Sequence, residues 1–108
     1  MKNIKVSFDS DDIKAVSCAL SVLPAYDFFD FLPPKLIAIT QTTIFKLHQK
    51  KNLDQQALHL IAIAVDSANK ALRGEITVDP DAISELRPYL FTINKLASVF
   101  APVFDEEQ

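Results

Sequence analysis

Residues 53–74 read LDQQALHLIAIAVDSANKALRG, and this stretch decides the fold class. Asp54 stands just before a run with the helical period, where an N-cap carboxylate accepts free backbone N–H groups. Leu53 and Leu58 have the spacing of a hydrophobic staple across that cap. Gly74, the sole glycine of the chain, stands where a helix end wants a left-handed residue. Between them, Leu58, Leu60, Ile61, Ala62, Ala64, Val65, Ala68, Ala71 and Leu72 cover more than half of the helix circumference. A surface helix needs only one apolar stripe, so this helix is expected to be central, with neighbours on several sides. Ala64, Ala68 and Ala71 form a small-residue stripe where another helix can approach closely.

Similar signals repeat on both sides. Asp9 caps a helix over about 10–23, with Phe8 and Ile13 as its staple, and Pro24 ends it. Ile13, Val16, Ala19, Leu20 and Leu23 share one face of that helix. Pro34 suits the first position of a second helix, which the pattern of Leu36, Ile37, Thr40, Ile44 and Leu47 carries over about 34–51, with Asn52 as its stop. Asp79 and Pro80 begin the last helix, with Val78 and Ile83 as a third staple. Ala82, Ile83, Leu86, Tyr89, Leu90, Ile93, Leu96, Ala97 and Phe100 keep one helical phase past Pro88, so a single helix over about 80–100, kinked at Pro88, is expected. Two separate helices are the alternative.

The sum is a mostly α protein, a four-helix up-and-down bundle or a close variant of one. Residues 3–8 and 75–79 both alternate apolar and polar side chains, and could pair as a short two-stranded β-ribbon beside the bundle. The chain of 108 residues reads as a single helical domain over 1–108, with a frayed acidic tail over about 102–108.

Composition bounds the function classes. Apolar residues make up 49% of the chain, an ordinary globular share. The formal net charge is −3, and only the segment 46–51 is basic, at a place where a helix ends and cations complement its dipole. A nucleic-acid binder usually carries a basic stripe, so nucleic acid is not an expected partner. No apolar run approaches a membrane span, and the N-terminal residues lack a signal peptide's apolar stretch. With one cysteine, Cys18, no internal disulfide can form, and a reducing cytoplasm is the expected compartment.

The titratable residues form no catalytic motif. With one glycine there is no glycine-rich phosphate loop. His48 and His59 stand on different helices without the spacing of a metal site, so neither metal nor cofactor is expected. Asp9, Asp11 and Asp12 lack the glycine and closing glutamate of a calcium loop, and N-capping accounts for them. Cys18 falls toward the polar side of its helix, away from both histidines, which argues against a thiol catalyst.

The segment 26–31, YDFFDF, sets four aromatic residues around two acids. Its rings could plug one end of the bundle, or part of the cluster could stay exposed and dock a partner. Ile39, Ile63, Phe91 and Val99 fall on otherwise polar helix sides and add to a sticky outer face. The leading expectation is therefore a non-enzymatic protein–protein interaction module: a regulator, inhibitor, immunity-type or adaptor protein. It would bind a partner or itself through Tyr26, Phe28, Phe29, Phe31, Ile39, Ile63 and Phe91. The alternative is a small-molecule binder with an interhelical pocket whose polar groups are His48, Asn69 and Tyr89.

Overall fold

The computed structural model describes residues 7–105, with side chains through Pro102. Helix α1 (Ser10–Ser21) starts at a reciprocal capping box. Asp12 N–H donates to the Asp9 carboxylate at 2.8 Å, and Asp9 N–H donates to the Asp12 carboxylate at 3.1 Å. Asp12 has a second duty that its place in the sequence did not reveal. It is buried, and its other oxygen accepts from Lys95 Nζ at 2.9 Å. Two partners compensate the burial of a carboxylate that would otherwise oppose folding.

The second helix departs from the expected span of 34–51. It is two helices, α2 (Pro34–Ala38) and α3 (Thr40–His48), separated at Ile39. The Thr40 hydroxyl donates back to the Leu36 carbonyl at 3.3 Å, a local bond that bends helices. The bend turns Ile39 inward, so it is half-buried against the core rather than on an outer polar side. The stop also comes before Asn52. Lys50 takes the left-handed conformation at φ 55°, Lys50 N–H donates to the Leu47 carbonyl, and Lys51 N–H donates to the Lys46 carbonyl. This is the Schellman arrangement, here built on a lysine.

Helix α4 (Gln55–Leu72) has the predicted ends. Asp54 accepts from Ala57 N–H at 2.8 Å, and Gly74, at φ +78°, completes a second Schellman closure through Glu75 N–H and the Lys70 carbonyl. Eleven of its eighteen residues are buried, and it packs against α1, α2 and α3. Its other neighbours are α5 (Pro80–Leu86) and α6 (Leu90–Asp105). It is the central helix, as its wide arc required.

Between α5 and α6 a single 3₁₀ turn, Arg87–Tyr89, holds Pro88. Leu86, Arg87 and Leu90 keep right-handed helical angles, so the path stays helical through the junction. A 3₁₀ turn winds about 20° per residue faster than an α-helix. The phase therefore slips, and Leu90, expected on the core stripe, is 39% exposed, while Ile93, Leu96 and Phe100 are buried. The helix then runs through Pro102 to Asp105, past the expected end near residue 100. Residues 106–108 lie outside the described residues.

Among the described residues there is no β-strand, so the expected ribbon is not formed by residues 75–79. That stretch is a bend and an extended connection whose Ile76 and Val78 pack on the core. The other half of the expected ribbon falls mostly on residues 3–6, which lie outside the described residues. The whole is an all-helical bundle, a close variant of the expected one in which two helices are interrupted. Its Cα radius of gyration is 12.8 Å, and Leu20, Leu23, Leu60, Ile61, Leu86 and Phe100 fill the middle.

The two left-handed helix stops respond oppositely to substitution. Gly74→Ala forces a Cβ into the left-handed region and should destabilise by about 1 kcal/mol, although nothing crowds the site. Lys50→Gly should relieve the same strain and stabilise by about 0.5 kcal/mol. Urea denaturation of both variants, with unchanged m-values, checks the pair.

Candidate functional site

The aromatic segment forms a 3₁₀ turn, Asp27–Phe31, directly after a shorter one at Leu23–Ala25. Its residues divide between the core and the surface. Tyr26 is buried at 4% exposure and stacks on Phe28 with ring centroids 5.1 Å apart. Phe28 and Phe29 are half-buried against the core. These three rings are the plug. Asp27 and Asp30 face solvent, and Phe31 is 87% exposed. The Tyr26 hydroxyl is buried without a hydrogen-bond partner among the described residues, and burial, with a smaller effect of neighbouring Cys18, pushes its ionisation up to about 12.

Of the other residues expected on a sticky outer face, Phe91 is 88% exposed and Val99 is exposed, whereas Ile39 and Ile63 are only partly so. Phe45 is 55% exposed beside Lys51, whose ammonium sits 5.4 Å from the ring centre. The stripe itself continues past the bend at Ile39, with Thr40 and Leu47 buried and Ile44 packed on the core.

His48 and Tyr89 do come together, in an open groove of about 580 Å³ bounded by α1, α3 and the α5–α6 junction. Asn69 is not among its lining residues. The groove also holds Ser17, Cys18 and Glu85, so Cys18 and His48 share a surface that their helix faces alone did not suggest. They are engaged elsewhere. His48 Nε2 lies 3.1 Å from the Ser17 hydroxyl, and the Cys18 thiol donates to the Glu85 carbonyl at 3.3 Å. Burial, and then the Glu85 carboxylate, push the thiol's ionisation up, which is the wrong direction for a nucleophile. A second open groove, of about 880 Å³, lies at one end of the bundle between Phe8, Ile13, Leu47, Leu53 and Leu58, with Lys50 and Lys51 on its rim.

Two further polar groups are strained by burial. The Asn69 carboxamide oxygen has no hydrogen-bond partner among the described residues. His59 is half-buried on α4. Its Nδ1 lies 2.7 Å from the Gln55 carbonyl and its Nε2 is buried without a partner. Among the described residues no group of three His, Cys, Asp or Glu side chains is placed to hold a metal, and no helix is long and apolar enough to cross a membrane. In comparisons with known proteins, no family model, no curated protein and no solved structure matches the chain.

Two outcomes follow from the buried groups. An acid whose ionisation is raised on folding contributes stability that is complete below its unfolded value, near 10, and is lost as pH rises toward 12. Tyr26→Phe should remove this loss, by at most about 1.4 kcal/mol per pH unit. At neutral pH it should be neutral or slightly stabilising, because the hydroxyl has no bond to lose. Denaturation curves of both proteins from pH 8 to 12 measure the difference. The pH midpoint of Cys18 alkylation should lie above that of an exposed cysteine in a peptide, and Glu85→Gln should lower it. A midpoint at or below the peptide value would contradict the geometry.

Proposed function

We propose that this chain is a non-enzymatic interaction module that binds another protein chain through apolar side chains left on its surface. The observation that carries the reading is the exposure of Phe31 and Phe91, at 87% and 88%, in a domain whose core is filled by other residues. Burying a phenylalanine side chain is worth about 1.5–3 kcal/mol. The fold forgoes this twice, and contact with a partner would recover it. Phe45, Leu90 and Val99 are further exposed apolar side chains. Aromatic side chains are the residue type most often responsible for binding energy at interfaces. Regulator, inhibitor, immunity-type and adaptor roles all use such a surface.

The reading without catalysis is supported by the state of the groove. Its thiol is held toward the protonated form, and the Ser17–His48 pair is exposed, with no third side chain bonded to His48 Nδ1 among the described residues. A small-molecule reading is favoured by one observation, the convergence of His48, Tyr89, Ser17 and Ser84 on that groove.

Both exposed phenylalanines can be changed without touching the core. Phe31→Asp and Phe91→Asp, alone and together, should leave helicity and melting temperature unchanged. Capture of a partner from cell lysate by the wild type, and its loss in the double variant, is the expected result. Retained capture in the folded double variant would move the site away from these rings. Movement of His48 and Tyr89 resonances by small metabolites, with no protein captured, would favour the groove.

A further inference from the structure

The end of α3 presents a feature that its role in closing a helix does not use up. Lys46, Lys50 and Lys51 stand there with no ion pair among the described residues, although the chain as a whole is acidic. Lys70 pairs with Asp66, Arg73 with Glu75 and Lys95 with Asp12. Lys14, Lys35 and Arg87, which are dispersed along the chain, also lack an ion pair among the described residues, so the α3 end is distinguished by its clustering of three cations within six residues. The Schellman closure fixes the backbone under Lys50 and Lys51, and Lys51 lies against the half-exposed ring of Phe45. The patch therefore combines a partly exposed aromatic ring with positive charge on an ordered backbone.

The 3₁₀ turn Asp27–Phe31 presents the converse. Asp27 and Asp30 are exposed without an ion pair among the described residues, and the exposed ring of Phe31 stands beside them. Each surface has what the other lacks, and within the chain the two sets of charges form no ion pair. Resting on the interaction-module reading, we propose that the occupant of the basic patch is a second copy of this chain. The acidic aromatic turn of one copy seats on Phe45, Lys46, Lys50 and Lys51 of the other.

Contact of this kind sets Phe31 against Phe45 and brings Asp27 and Asp30 to the lysines. A two-fold arrangement makes both contacts at once and closes as a dimer. The pairs lie at the surface, so they steer and orient association more than they strengthen it, and they are sensitive to salt. The footprint is small, which places the complex among weak interfaces, to be sought on the order of 100 µM protein. A membrane would suit the lysines, but the exposed aspartates and the net negative charge oppose an anionic surface.

Sedimentation velocity of the full chain tests the contact. The expected result is self-association in low salt that weakens at least about tenfold in roughly 0.5 M salt. Two charge-reversed variants, K46E/K50E/K51E and D27K/D30K, should each be monomeric and folded by circular dichroism. Mixed together they should associate again, since each supplies the charge that the other has lost. Phe31→Ala should weaken association without changing its response to salt. A wild type that stays monomeric overturns the proposal and leaves the hetero-partner reading intact, because that reading is decided by capture on Phe31 and Phe91. Association that persists in both charge variants overturns it by placing the contact elsewhere. Lysine-dependent co-sedimentation of a monomeric chain with phosphatidylserine vesicles overturns it in favour of a lipid surface.

Discussion

Burial of α4 on several sides is the constraint from which the rest of the bundle follows. A helix with an apolar arc this wide must be surrounded, and short connections leave few ways to surround it. Helices α1 and α6 take two of its flanks, and α2, α3 and α5 complete the shell. Alanines at 64, 68 and 71 allow close approach, and leucine or isoleucine at 60 and 61 fills the centre. The same enclosure explains the polar groups left without partners. Asn69 and His59 sit on a helix with little solvent-facing surface, so each has a buried atom that no neighbour among the described residues satisfies.

Both interrupted helices are accommodations to that centre. At Ile39 a threonine back-bond bends the chain, and the side chain on the outer face of a straight helix becomes part of the packing. At Pro88 the missing N–H is absorbed in one 3₁₀ turn, and the phase slip brings Leu90 and Phe91 to the surface at the start of α6. The exposed apolar surface is therefore in part a product of how the bundle closes. The lysine closure at Lys50 has a parallel effect, because it puts a charged residue where a glycine would have sufficed structurally.

Function is not written in a fold of this kind, since helical bundles serve unrelated roles. The candidate groups therefore have to be weighed by their states. Cys18 and His48 share a groove, but the thiol is held protonated and the imidazole is bonded to a serine in the open. The aromatic turn separates into a buried half that closes the bundle and an exposed half that carries two acids and Phe31. The surface carries charge beside its apolar groups: Asp27 and Asp30 belong to the turn that carries Phe31, and Lys51 lies over Phe45.

Much of the fold was legible in the residues. Asp9, Asp54 and Asp79 cap helices, Gly74 ends one, and most staple and stripe residues, though not Leu90, are packed where their periods put them, because capping and amphipathicity are local properties of consecutive side chains. The sequence by itself determined the helical class, the central helix and most helix starts. It also exposed the aromatic turn as the anomaly, though not its division into plug and surface. Only the tertiary structure decided the break at Ile39, the lysine stop, the pairing of Asp12 with Lys95 and the shared groove of Cys18 and His48. These depend on packing, or on contacts between residues 31 to 83 positions apart, which no local period encodes. Which phenylalanines face water was decided in the same way, since exposure depends on where the neighbouring helices end.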